Sequence, residues 1–131
     1  MKKLFTQIIA LLLVCVVSFG CASSPSGLSG DYRQDTLSLI DTLRDAIELP
    51  EGTPEQASAQ SDARQMINDF ASLYRRDGNY TRLSSFTTMQ TALNALAGHY
   101  SSYPNRPVPE KLKSRLELEF KRVEASLRRG A

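Results

Sequence analysis

The chain has 131 residues, 41% hydrophobic and 23% charged, with a formal net charge of +2. That length suits one domain, and with two cysteines a disulfide framework is excluded. One histidine excludes any two-histidine metal motif.

The first segment reads as an export signal. Lys2 and Lys3 precede ten consecutive apolar residues from Ile8 to Val17, followed by Ser18, Phe19 and Gly20. Ten residues rise about 15 Å as a helix, half a bilayer core, so a permanent transmembrane helix is the weaker assignment. Two cleavages fit. Ser18-Phe19-Gly20 matches an A-x-A-like site loosely, because Phe19 is bulky. Val17-Ser18-Phe19-Gly20-Cys21 resembles a bacterial lipobox, with small Gly20 before the cysteine and Ser18 departing from the usual Leu or Val. The lipobox is the better match. It makes residues 1–20 a removed signal and Cys21 the lipidated first residue, carrying covalent diacylglycerol and N-acyl chains. Cys15 leaves with the signal, so the remaining chain has no free thiol and its stability must come from packing. Residues 21–30, with Ser23-Ser24-Pro25-Ser26-Gly27 and Ser29-Gly30, read as a flexible tether.

Residues 31–131 read as a four-helix bundle. Asp31 caps a helix from Tyr32 in which Thr36, Ile40, Leu43 and Ile47 form a stripe, with Leu39 and Ala46 on its shoulder. Pro50 and Gly52 end it. Thr53-Pro54-Glu55-Gln56 is a capping-box start for a second helix. Its apolar positions are Ala63, Ile67, Phe70 and Tyr74, flanked by Met66 and Leu73. The polar first half, Glu55 to Asp62, is expected to fray or project, and Asp77-Gly78-Asn79 to end the helix. The third segment, Ser84 to Tyr103, carries Phe86, Met89, Leu93, Leu96, Tyr100 and Tyr103. Ala92, Ala95, Ala97 and Gly98 interleave, so a close helix approach is expected at Gly98. Tyr103-Pro104-Asn105-Arg106-Pro107-Val108-Pro109 is a stiff turn whose side chains have little entropy left to lose. The last helix starts at Pro109-Glu110 and aligns Leu112, Leu116, Phe120, Val123 and Leu127. Four amphipathic helices with short connections predict an all-α, up-down-up-down bundle.

Charge is unevenly distributed. Residues 31–62 carry eight acids against Arg33 and Arg44, whereas residues 63–131 carry twelve bases against six acids. Such a dipolar molecule either orients on a partner or neutralises itself across helix interfaces. No catalytic set is present: His99 stands alone, no thiol remains, no glycine-rich phosphate loop occurs, and no EF-hand spacing appears. The chain is therefore expected not to be an enzyme and to hold no metal or cofactor beyond the lipid at Cys21. Export removes it from nucleic acid, and its basic residues lack interleaved aromatics. An exported, lipid-tethered helical binding domain is what remains.

Longer stretches carry a resemblance. Ser85 to Tyr100 (SFTTMQTALNALAGHY), Tyr32 to Leu43 (YRQDTLSLIDTL), Tyr74-Arg75-Arg76 and Arg106 to Lys113 (RPVPEKLK) resemble the small lumenal photosystem II assembly and repair lipoproteins of cyanobacteria, which have chloroplast relatives. The likeness covers residues 28–131. It implies a lipid-anchored four-helix bundle on the lumenal side of the thylakoid membrane. It also implies transient association with photosystem II intermediates, chiefly the lumenal loop of an inner chlorophyll-binding antenna subunit. There the family is thought to keep the manganese-cluster site accessible and to hold off the extrinsic subunits. Free protein is expected to be monomeric. The alternative is a generic lipid-anchored adaptor or structural lipoprotein of a bacterial envelope.

For the binding surface, the first candidate is the proline-rich turn with charged neighbours: Arg75, Arg76, Tyr103, Arg106 and Pro107. Arginines in a stiff setting form bidentate pairs with carboxylates of an acidic loop. The alternative is the acidic first helix, with Asp35, Asp41 and Asp45.

Overall fold

A computed structural model describes residues 27–50, 52–104 and 106–131. The signal segment and Cys21 lie outside the described residues. The helices are α1 (Tyr32–Glu48), α2 (Pro54–Tyr74), α3 (Gly78–Thr81), α4 (Ser84–Ser102) and α5 (Glu110–Arg128). Among the described residues there is no strand, and no helix is long and apolar enough to cross a membrane.

Local chemistry accounts for the helix starts. The Asp31 carboxylate accepts from the Gln34 amide at 2.8 Å, and the Thr53 hydroxyl accepts from the Gln56 amide at 3.2 Å, with Pro54 behind it. Each satisfies an amide that the first helical turn leaves without a partner. The Gln56 side chain reaches back one residue further than a capping box requires, accepting from the Gly52 amide at 2.9 Å.

α1 pairs with α2 and α4 with α5 as two antiparallel hairpins, and the hairpins close through α1 against α5 and α2 against α4. The long helices thus run up, down, up and down. Leu39, Ile40, Leu43, Phe70, Met89, Leu96, Leu116, Phe120 and Val123 fill the centre. The parallel diagonal pair, α1 and α4, meets at its shared end, where the Tyr32 and Ser85 hydroxyls lie 2.8 Å apart.

Several expectations need correction. The polar first half of α2 does not fray. Gln56 and Gln60 are buried, and Gln60 donates to the Arg106 carbonyl at 3.4 Å, so polar side chains there tie loops to the bundle. Asp77-Gly78-Asn79 does more than end α2: Asp77 caps the extra helix α3 by accepting from the Asn79 amide at 2.9 Å. That helix carries Tyr80 over Tyr32, with ring centroids 4.9 Å apart. Tyr74 meets Tyr32 and Tyr80 edge-on, and these rings fill the seam at that level. Leu73, expected to flank the core, is 45% exposed, because α2 turns the adjacent Tyr74 inward instead. Tyr103 leaves the α4 stripe and is exposed, and Leu112 is half-buried. Gly98 makes no close approach, since a Cβ built there would meet nothing within 4 Å. α4 turns the opposite face inward through Leu93, Leu96 and Tyr100.

Ser29-Gly30 is not a free tether. Leu28 is buried, and the Ser29 and Gly30 amides donate to the Asp35 carboxylate at 2.7 and 2.9 Å. Gly30 turns the chain at φ +89°, a conformation that disfavours any side chain.

Candidate functional site

The bundle has two ends of different chemistry, and the candidate residues divide between them. At the end where α4 stops, the Tyr103 amide donates to the His99 carbonyl at 2.8 Å and closes the helix. The Arg106 amide then donates to the Tyr103 carbonyl at 3.2 Å, which folds the connection into a tight turn. Buried Val108 pins the far side of that turn, and Gln60 holds its backbone through the Arg106 carbonyl. Tyr103 is left 56% exposed, with its ring 5.5 Å from that of His99, and Arg106 and Pro107 are exposed beside it. A shallow depression of about 470 Å³ lies among His99, Tyr103, Arg106, Pro107 and Pro109. This turn offers a flat aromatic ring, a free guanidinium and proline-restricted backbone on one surface. Those are features of a docking site for an acidic or mixed peptide segment, where rigidity limits the entropy lost on binding.

Arg75 and Arg76 are not neighbours of this turn. They follow the last residue of α2, whereas the turn is tied to Gln60 near the start of that helix. Fifteen residues of helix separate the two levels, about 22 Å along the axis. Both arginines are exposed, and Arg75 caps α2 with its amide donating to the Ala71 carbonyl at 3.0 Å. The predicted cluster of five is therefore two surfaces.

Asp35 leaves the alternative acidic face. It is 1% exposed, and its two oxygens accept from the Ser29 amide and hydroxyl, the Gly30 amide and the Tyr74 hydroxyl. Burial alone would push this carboxyl up, but those four donors outweigh it and hold its pKa below the ordinary value. Burial, with the Asp35 carboxylate beside it, pushes the Tyr74 phenol well up, so Tyr74 remains a neutral donor. Asp41 and Asp45 are exposed on α1, and one feature of the sequence sets Asp35 apart from them. Its position four residues after the cap, beside Thr36 of the buried stripe, was the available signal.

Part of the charge asymmetry closes on itself. Arg44, one of two bases in the acidic stretch, crosses to α5 and binds Glu117 at 2.8 and 3.0 Å and Glu124 at 2.6 Å. Its guanidinium also lies 5.8 Å from the Phe120 ring centroid. A cation of the acidic helix thus meets two acids of the basic helix, the reverse of what net charge suggests. Among the described residues no group of three or more histidine, cysteine or acidic side chains could hold a metal ion. The Tyr100 hydroxyl is buried, its pKa pushed up to about 12 by burial.

A family model described as Photosystem II Pbs27 matches residues 5–127. The chain belongs to this family. Its relatives include the photosystem II assembly factor lipoprotein Psb27 of Thermosynechococcus vestitus, 58% identical over 132 residues, with 100% of this chain and 98% of the relative covered. The photosystem II lipoprotein Psb27 of Synechocystis is 52% identical over 130 residues, covering 99% and 97%. The chloroplastic photosystem II repair protein PSB27-H1 of Arabidopsis thaliana is 33% identical over 101 residues, covering 76% of this chain and 58% of that one. Among solved structures, the solution structure of Psb27 from cyanobacterial photosystem II superposes with a TM-score of 0.77 at 56% identity, covering 86% of this chain and 98% of the other. The crystal structure of PSB27 from Arabidopsis thaliana gives 0.73 at 32% identity, covering 77% and 99%. The all-helical bundle is thus the Pbs27 fold.

Proposed function

We propose that this chain is a non-catalytic assembly and repair factor for photosystem II, held at the thylakoid membrane on the lumenal side by lipid on Cys21. The observation that carries this is the relative named as a photosystem II assembly factor lipoprotein, aligned over the full length of this chain. The factor associates transiently with photosystem II intermediates, chiefly through the lumenal loop of an inner chlorophyll-binding antenna subunit. In that position it keeps the manganese-cluster site accessible and holds off the extrinsic subunits. Docking uses the end of the bundle bearing Tyr103, Arg106 and Pro107. The exposed ring and guanidinium on a restricted turn support this choice, because aromatic and arginine side chains on rigid settings dominate interface energetics. Asp41 and Asp45 lie on another face and are not required.

The test is affinity capture of the full-length tagged protein from thylakoid membranes, followed by identification of co-purifying subunits. Tyr103→Ala and Arg106→Glu should each lower recovery of antenna-containing intermediates by about tenfold or more. Unchanged recovery in both variants would remove this surface from the proposal. Failure of the unsubstituted protein to recover any photosystem II subunit would remove the function.

A further inference from the structure

The other end of the bundle gathers the cations. Arg33 follows Tyr32 at the start of α1, and Arg75 and Arg76 follow Tyr74 at the end of α2. Arg82 precedes α4, while Arg128 and Arg129 end α5. These segments share one level of the bundle. Tyr74 bonds Asp35, Tyr32 meets Ser85 at 2.8 Å, and the Ser84 and Ser126 hydroxyls lie 3.4 Å apart. All six arginines are exposed. The acids at that level are outnumbered: Asp31 and Asp77 cap helices, and Asp35 is buried.

Helix dipoles explain only part of this arrangement. A cation is favoured past a helix C-terminus, which covers Arg75, Arg76, Arg128 and Arg129. Arg82 likewise caps the end of the single-turn helix α3, but Arg33 stands in the first turn of α1, where a cation is disfavoured, so the patch is not wholly an assembly of C-caps. Leu73, in the last turn of α2, adds an apolar side chain 45% exposed at the same end.

This end is also where the tether attaches. Asp35 pins Ser29 and Gly30, and Leu28 is buried, so the chain is fixed to this end of the bundle from Leu28 onward. Six residues separate Cys21 from Leu28, and six residues span about 20 Å at full extension. A lipid at Cys21 would therefore hold the arginine end within about 20 Å of the headgroup layer. Near an anionic surface that approach is favourable once the arginines come within a Debye length, about 8 Å at physiological salt.

We propose that this six-arginine end, with Leu73, is a membrane-facing surface that binds anionic lipid headgroups and sets the bundle upright. The orientation rests on the lipid anchor proposed at Cys21. The charge recognition does not, and the two are tested separately.

For orientation, the lipidated protein carries a fluorophore on Leu73→Cys or on Tyr103→Cys, in vesicles containing a headgroup quencher. With about one-third phosphatidylglycerol, the Leu73 label should be quenched and the Tyr103 label not. Quenching at Leu73 should fall in pure phosphatidylcholine, in about 0.5 M NaCl, and in Arg75→Glu/Arg76→Glu. Equal quenching at both positions, or quenching indifferent to lipid charge and salt, overturns the proposal.

For recognition without the anchor, Cys21→Ser protein is sedimented with the same vesicles. Its partitioning should drop about fivefold for each arginine replaced by glutamine among Arg75, Arg76 and Arg128. Absence of binding to phosphatidylglycerol vesicles overturns the proposal even where the lipid anchor stands. Loss of photosystem recovery by Arg75→Glu/Arg76→Glu with headgroup quenching unchanged would assign the patch to an acidic protein segment, and overturns it too.

Discussion

Asp35 is the most informative position to perturb, because one carboxylate holds the entry of the chain onto the bundle. Four donors converge on it: the Ser29 amide, the Ser29 hydroxyl, the Gly30 amide and the buried Tyr74 hydroxyl. Asp35→Ala frees two amides that water can reach, since Ser29 and Gly30 are exposed. It also strands the Tyr74 hydroxyl inside the aromatic cluster. An orphaned buried hydroxyl costs about 1–3 kcal/mol, and a lost hydrogen bond to a charged group about 1.5–3 kcal/mol, so the variant should lose about 3–5 kcal/mol. Urea denaturation followed by circular dichroism reads this directly. Tyr74→Phe in the Asp35→Ala background should cost less than in the unsubstituted protein, because their shared bond is already gone. The pH dependence has a defined sign. The folded carboxyl has a pKa below its unfolded value of about 3.9, so the unfolded state binds the proton first as pH falls. Stability from Asp35 is therefore complete above about pH 5 and lost as pH falls through 3.9 toward the lower folded pKa. Asp35→Asn should flatten that acid limb. A stability loss below about 1 kcal/mol in Asp35→Ala, or an acid limb unchanged in Asp35→Asn, would refute the clamp.

Two further substitutions test the corrected packing. Gly98→Ala should stabilise the protein by about 0.5–1 kcal/mol, because the added Cβ meets nothing and alanine is the better helix former; destabilisation in thermal melts would restore a close helix contact at that site. Leu39→Ala should cost about 2–5 kcal/mol, whereas Leu73→Ala should stay within about 0.5 kcal/mol, and comparable losses in urea would place Leu73 in the core.

The bundle was legible because its information is periodic. Stripes such as Thr36, Ile40, Leu43 and Ile47, or Leu116, Phe120, Val123 and Leu127, lie buried where a helical repeat puts them. Asp31 and Thr53 act as the caps their side chains suggest. What escaped was non-periodic. Helix α3 is a single turn with no repeat to betray it, yet it carries Tyr80 onto Tyr32. Gln56 and Gln60 look like solvent residues until the loops they bind are placed. Gly98 suggested close packing by composition alone, but its azimuth on α4 faces solvent. The candidate binding set failed to converge for a related reason. Arg75, Arg76, Tyr103 and Arg106 are near one another in sequence by way of α4, and a helix of 19 residues carries its ends about 28 Å apart.

That separation has a consequence for the partner. With the arginine end at the headgroups, as proposed, α4 would hold Tyr103 and Arg106 about 28 Å farther out. The docking end then stands about 30 Å from the membrane surface, allowing for the radius of the last turn. A segment engaged there must project that far from its own transmembrane anchor, which a short interhelical turn cannot do and a large lumenal loop can. Under the proposed docking, confinement at this height would raise the effective concentration of the Tyr103 end against such a loop, so that a weak, reversible contact would suffice. Lengthening the tether should dilute that advantage without touching either surface. A six-residue Gly-Ser insertion after Gly27 should weaken photosystem recovery while leaving vesicle binding of the Cys21→Ser protein unchanged.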